Sequence, residues 1–166
     1  MIWKFFIQIS LGVYHLHSQK ILHWDIKSLN IFLTNGRNLI SGARDRYQIR
    51  IGDLGVAKIL ASAEHFIRAR VGTPYYLSPE VCEDRPYNNK SDIWALGCVL
   101  YELCALRHPF EAWTKEILFS KIIKGHFSSI PKHYSKDLSE ILQSCLATDQ
   151  QKRFSIEDII MHSMFQ

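Results

Sequence analysis

The sequence predicts a mainly α protein with one small β-hairpin, folded as a single lobe of 166 residues. Apolar residues recur at helical spacing over residues 2–18 and again over residues 91–106. Two short runs rich in β-branched and aromatic residues, Ile31-Phe32-Leu33 and Gln48-Ile49-Arg50-Ile51, follow one another with the turn signal Asn35-Gly36 between them. Ser or Thr stands where further helices would begin, because a side-chain oxygen there satisfies an otherwise unpaired backbone N–H. A chain of this length buries about 70% of its unfolded surface, enough for one core.

Residues 2–18 place Ile2, Phe5, Phe6, Ile9, Val13 and Leu16 along one stripe of a helix. Ile21-Leu22 then leads into a polar loop, and Ile31-Phe32-Leu33 opens the hairpin. Between the two strands lies an arginine-rich insert at about residues 35–47 with no periodicity, a long loop for a hairpin. Residues 53–80 show little regular pattern and read as an extended segment. Ser91 is expected to cap a strongly apolar helix reaching about Leu106, with Asp92 in its first turn and Pro109 beyond its end. A helix apolar on most sides is a buried, central one. Thr114 starts a helix through Lys124, ended by Gly125; Ser135 starts one through about Leu146; and Ser155 with Asp158 three residues on opens the last.

Composition narrows the function classes. Hydrophobic residues make up 47% and charged residues 22%, a globular balance, and the formal charge is only +4. Seven basic residues between Arg37 and Arg70 are scattered and offset by Asp45, Asp53 and Glu64, short of the dense, aromatic-interleaved patch nucleic acid calls for, so no nucleic-acid partner is expected. No apolar run approaches the roughly 18 residues of a membrane span, so no membrane partner is expected either. Cys82, Cys98, Cys104 and Cys145 form no C-x-x-C pair, and Cys98 and Cys104 sit in an apolar helical run as small buried thiols, which fits a reducing, intracellular, cytoplasmic setting. His15 and His17 stand two apart on a helix and face different ways, a poor metal pair and a structural one.

The chemistry is concentrated in His23-Trp24-Asp25, Lys27, Asn30 and Asp53-Leu54-Gly55. These supply a carboxylate, a cation, a carboxamide and a second carboxylate beside a glycine. Phosphoryl transfer from a metal-bound nucleotide calls for such a set: a carboxylate to orient the acceptor hydroxyl, a Lys to meet phosphate charge, and an Asn and an Asp to hold Mg²⁺. Asx-type turns are the alternative reading of Asp25 and Asn30 taken singly.

Three long runs carry a family resemblance. They are Ile21-Leu22-His23-Trp24-Asp25-Ile26-Lys27-Ser28-Leu29-Asn30-Ile31-Phe32-Leu33, Gly72-Thr73-Pro74-Tyr75-Tyr76-Leu77-Ser78-Pro79-Glu80, and Pro86-Tyr87-Asn88-Asn89-Lys90-Ser91-Asp92-Ile93-Trp94-Ala95-Leu96-Gly97. In this order they resemble the C-terminal lobe of eukaryotic protein kinases over essentially the whole chain, and most of all the NIMA-related serine/threonine kinases. The resemblance implies ATP and Mg²⁺ as cofactors and a protein substrate phosphorylated on Ser or Thr. It implies that Asp25 is the catalytic carboxylate, that Lys27 neutralises the transferring phosphoryl group, and that Thr73 hydrogen-bonds Asp25. Asn30 and Asp53 match the magnesium ligands, and Phe32 forms part of an adenine floor. By the same resemblance His23 and Trp24 are structural or regulatory, Glu80 and Arg153 are a buried pair, and Asp92 anchors the backbone of the catalytic loop. Association of the family with the cytoskeleton, cilium and nucleus extends the expected locations.

Departures from the family pattern carry their own expectations. Trp24 stands where most such kinases have an Arg that receives a phosphate, and Ala69 stands where the phosphate acceptor is expected. Donor and receiver are missing together, so this segment is expected not to be switched by phosphorylation there. Leu54 replaces a more usual Phe without bearing on metal binding. The 166 residues contain no glycine-rich phosphate loop and no strand lysine upstream. A partial kinase domain is expected, with negligible activity alone, its open interlobe surface covered by an N-terminal lobe or a partner. The alternatives are a non-catalytic, pseudokinase-like interaction module and, far behind, a small-molecule phosphotransferase.

Overall fold

In the computed structural model, residues 1–34, 47–54, 58–59 and 74–165 are described. Among them six α-helices and two small antiparallel ladders follow in the order α1 (Ile2–Ser18), β1 (Ile21–Leu22), β2 (Ile31–Thr34), β3 (Gln48–Ile51), β4 (Lys58–Ile59), α2 (Pro79–Cys82), α3 (Asn89–Ala105), α4 (Lys115–Lys124), α5 (Lys136–Cys145) and α6 (Ile156–Ile160). Residues 35–46, with most of the insert, and Gly55, Ala69, Gly72 and Thr73 lie outside the described residues.

The stripe of α1 turns Phe6, Ile9 and Val13 inward, all at most 1% exposed. The helix ends at Ser18, and Lys20 takes a left-handed φ of 60° that no helix continues through. α3 is the central element: from Ser91 to Tyr101 every residue is buried, because its neighbours surround it and leave no polar face. α1 and α5 pack against α3, and α6 packs back onto α1. Each fully buried Ile or Leu of this core, such as Ile93, Leu96 or Ile141, contributes about 1.5–3 kcal/mol. Trp94 stacks on Phe110 at 5.6 Å between ring centroids.

The sequence places the start of α3 at Ser91, but the cap is Asn88, three residues earlier. Asn88 accepts from the Lys90 N–H at 2.9 Å, and the Ser91 hydroxyl accepts from the Asn88 N–H at 3.3 Å, so Ser91 closes a capping box from inside the helix. Either residue type caps well; the Ser91 hydroxyl also bonds Glu80, at 2.6 Å. α3 ends with Leu106 in a left-handed conformation, φ 55°, three residues ahead of Pro109. α4, α5 and α6 start after Thr114, Ser135 and Ser155. The short α2, begun by Pro79, falls where the sequence shows no period.

The expected hairpin is formed by β2 and β3, with Ile31 opposite Ile51 and Thr34 opposite Gln48. It lies against α1, whose Gln8 accepts from the Ile49 N–H at 2.9 Å. A second ladder, β1 with β4, pairs Ile21 with Ile59 and Leu22 with Lys58. Two-residue strands carry no alternation, which is why the sequence does not show them. Among the described residues no helix is long and apolar enough to cross a membrane, and all four cysteines are buried and outside any disulfide.

Candidate active site

The loop from His23 to Asn30 runs between β1 and β2 and hangs on α3. Asp92, in the first turn of α3 and 0% exposed, accepts from the His23 N–H at 2.9 Å and from the Trp24 N–H at 3.1 Å. The same carboxylate takes the Tyr87 hydroxyl and stands 2.8 Å from His17 Nε2. A buried carboxylate needs its lone pairs filled, and these four groups fill them. His23, itself 0% exposed, contacts the Gly52 carbonyl through Nε2 at 3.1 Å and the Asp25 N–H through Nδ1 at 3.3 Å. A carbonyl accepts and an N–H donates, so the ring proton belongs on Nε2.

Trp24 follows with φ 69°, a left-handed conformation unusual for a bulky residue and one that costs about 1–3 kcal/mol. Its ring stacks on Tyr87, centroids 4.7 Å apart and planes 20° from parallel, a contact worth about 0.5–1.5 kcal/mol beyond its area. Burial first, and then the Asp92 carboxylate, push the Tyr87 hydroxyl well above the ordinary phenol range.

Past this turn three candidate residues converge. Lys27 Nζ lies 2.6 Å from Asp25 Oδ2, and Asn30 Nδ2 donates to the same oxygen at 3.0 Å and to the Asp25 carbonyl at 2.8 Å. Both amide hydrogens of Asn30 are thereby directed at Asp25, which turns its carboxamide oxygen away. Asp53 is brought in by its neighbour: the Gly52 N–H donates to the Asn30 carbonyl at 2.9 Å, while the Gly52 carbonyl holds His23. Asp53 itself has φ 57° and is exposed. A carboxamide oxygen and an exposed carboxylate one peptide from a shared clip are hard donors of the kind Mg²⁺ accepts, with water and phosphate completing its shell. Among the described residues there is no group of three His, Cys, Asp or Glu side chains that could hold a metal.

Phe32 is 50% exposed on β2 and lies over Gly52, where a Cβ would come within 2.5 Å of its ring. Leu54, 52% exposed, follows Asp53. The expected contact of Thr73 with Asp25 falls outside the described residues.

Glu80 and Arg153 meet away from the loop as a two-pronged pair at 2.8 and 2.9 Å, both side chains 0% exposed. Burial alone would raise the Glu80 carboxyl; the Arg153 guanidinium, with Ser91, more than offsets it and holds the carboxyl at about 2. Arg153 also donates to the carbonyls of Lys90 and Ala147 and lies over the Trp94 ring.

Sequence reasoning missed His17 and Tyr87 as partners of Asp92. It also missed a triangle in which Tyr76 donates to Glu102 at 2.6 Å and Ser28 meets both, at 3.0 Å and 3.2 Å. Burial and then Glu102 raise the Tyr76 hydroxyl. The available signal was position alone: Ser28 is next to Lys27, and Tyr76 and Tyr87 lie within the runs that carry the resemblance.

A family model described as protein kinase domain matches residues 1–165. The chain is 48% identical over 159 residues to serine/threonine-protein kinase Nek1 of Mus musculus, covering 96% of this chain and 12% of that protein. It is 44% identical over 155 residues to Nek5 of Homo sapiens, covering 93% and 21%, and 40% identical over 158 residues to human Nek2, covering 92% and 33%. The chain thus spans a third or less of the length of these relatives. Its fold, the Asp25–Lys27–Asn30 cluster and the match over nearly its whole length agree: the chain belongs to the protein kinase family, where it is similar to the Nek serine/threonine kinases.

Proposed function

We propose that these residues are the C-terminal lobe of a serine/threonine protein kinase, the half that receives the acceptor and holds the metal. One observation carries this reading: Lys27 and Asn30 both bond one oxygen of Asp25, at 2.6 and 3.0 Å, while Asp53 is clipped to the same loop through Gly52. Magnesium–ATP, when bound, supplies the transferable γ-phosphoryl group. Asp25 orients the hydroxyl of a protein Ser or Thr and takes its proton. Lys27, fixed by Asp25, meets the phosphoryl charge, and Asn30 and Asp53 offer oxygens to Mg²⁺. Phe32 would form part of the adenine floor, and Thr73 would take the family's role of hydrogen-bonding Asp25.

On this reading a glycine-rich loop and a strand lysine, absent from these 166 residues, hold the remaining phosphates. Phosphoryl transfer rests on positioning and electrostatics, so the 166 residues alone transfer phosphate at a negligible rate. The test is incorporation of labelled γ-phosphate into a Ser/Thr peptide by the longest native protein containing the chain. Asp25→Asn should lower the rate by about 10²–10⁴, the range for loss of a general base. Equal rates for parent and variant refute the assignment. The second reading, a non-catalytic interaction module, rests on the exposed Phe32 and Leu54 and on Trp24; it predicts no incorporation by the parent.

A further inference from the structure

The strained Trp24 peptide immediately precedes Asp25, so whatever holds Trp24 also sets the start of the Asp25 backbone. Two tethers are visible, and Tyr87 belongs to both. Its ring lies on the Trp24 indole at 4.7 Å. Its hydroxyl donates to Asp92 Oδ1 at 2.5 Å, the same oxygen that accepts the Trp24 N–H at 3.1 Å. Indole, phenol ring, phenol hydroxyl, carboxylate and Trp24 amide therefore form a closed circuit around one residue with φ 69°. A left-handed Trp persists only where its surroundings over-determine it, and the described residues provide this circuit. His17 contacts the other oxygen, Oδ2, and Lys20 and Asp53 are the other left-handed residues flanking the loop, outside the circuit.

We propose that Tyr87 is a positioning residue for the Asp25 loop: stacked on Trp24 and bonded to Asp92, it holds the Trp24 backbone in its left-handed conformation and so aims Asp25. Two facing neutral rings close this tether, and the hydroxyl bond is made to a carboxylate already inside the fold. The loop therefore keeps its shape without an added phosphate. The functional consequence rests on the kinase reading; the positioning itself does not.

Amide hydrogen exchange of the full chain tests it without requiring catalysis. Tyr87→Phe keeps the stack and removes the hydroxyl, and should speed exchange of the Trp24 amide about tenfold. Tyr87→Leu removes both tethers and should speed it about a hundredfold. Amides of α5 should stay within about twofold of the parent, the signature of local opening. The proposal is overturned if Trp24 exchange stays within twofold in Tyr87→Phe, or if α5 amides accelerate in step with it, which marks Tyr87 as a general stabiliser. Tyr87→Phe retains the ring and the fold, so it decides the matter even if Tyr87→Leu does not fold. A parent that transfers no phosphate sinks the kinase reading, and the exchange result still judges this one.

Discussion

Removing the guanidinium of Arg153 leaves the Glu80 carboxylate fully buried without its counter-ion. The size of the effect follows from the site. A carboxyl held at about 2 instead of its ordinary 4.5 corresponds, at about 1.4 kcal/mol per tenfold, to about 3 kcal/mol favouring the charged form. Breaking a buried pair from one side costs about 3–5 kcal/mol, because the remaining charge stays buried. Arg153→Leu should therefore lower the unfolding free energy by about 3–5 kcal/mol, a large part of the 5–15 kcal/mol of an ordinary domain. Urea unfolding followed by tryptophan fluorescence at pH 7 measures it. Arg153→Lys keeps the charge but not the fork, and should lose less. Replacing both residues by Leu should recover part of the loss, because no charge is then left buried.

The pH dependence has a definite sign. Glu80 is depressed in the folded chain, so its contribution is fully present above about 4.5 and is lost as pH falls from 4.5 towards 2. The parent should lose about 3 kcal/mol across that window from this group, and Glu80→Gln should remove that part of the slope. A loss under about 1 kcal/mol for Arg153→Leu, the scale of an exposed ion pair, refutes the reasoning.

Three further outcomes are expected. Asp92→Ala strips the acceptor from the His23 and Trp24 amides and the Tyr87 hydroxyl; at about 1–3 kcal/mol per stranded group, urea unfolding should show a loss of about 3 kcal/mol or more. Gly97→Ala puts a Cβ 2.8 Å from the Cys145 Cβ and 3.0 Å from Leu146, forcing α3 and α5 apart; thermal unfolding should register about 1–3 kcal/mol of overpacking. The native thiols should resist a disulfide reagent at pH 8 and react once denaturant is added, since burial pushes Cys104 up to about 11 and Cys145 up to about 12.

Much of the architecture was legible because its causes are local. The stripe of α1, the caps at Thr114, Ser135 and Ser155, and the left-handed Gly125 after α4 all act within a few residues. The start of α3 was misplaced because Asn88 and Ser91 are both competent caps, and the Ser91 hydroxyl, besides closing the box, also bonds Glu80 on the preceding helix. The β1–β4 ladder and α2 are too short to impose a period. In the site, Asp25, Lys27 and Asn30 lie within six residues, so their spacing alone suggested a cluster. The recruitment of His17 and Tyr87 was invisible, since a His on a helix and a Tyr in a loop carry no mark of what they will meet.

The order of residues by itself determined which segments become helices, where most of them start, and which side chains have the chemistry for phosphoryl transfer. Hydrophobic spacing, capping oxygens and donor type are properties of neighbours along the chain. Only the tertiary structure decided that His17 reaches Asp92, that Tyr76 and Ser28 meet at Glu102, and that Gly52 clips Asp53 to the Asn30 loop. Those partners lie roughly 20 to 75 residues apart in sequence, and the entropy of bringing them together is overcome only when the whole core around α3 packs at once.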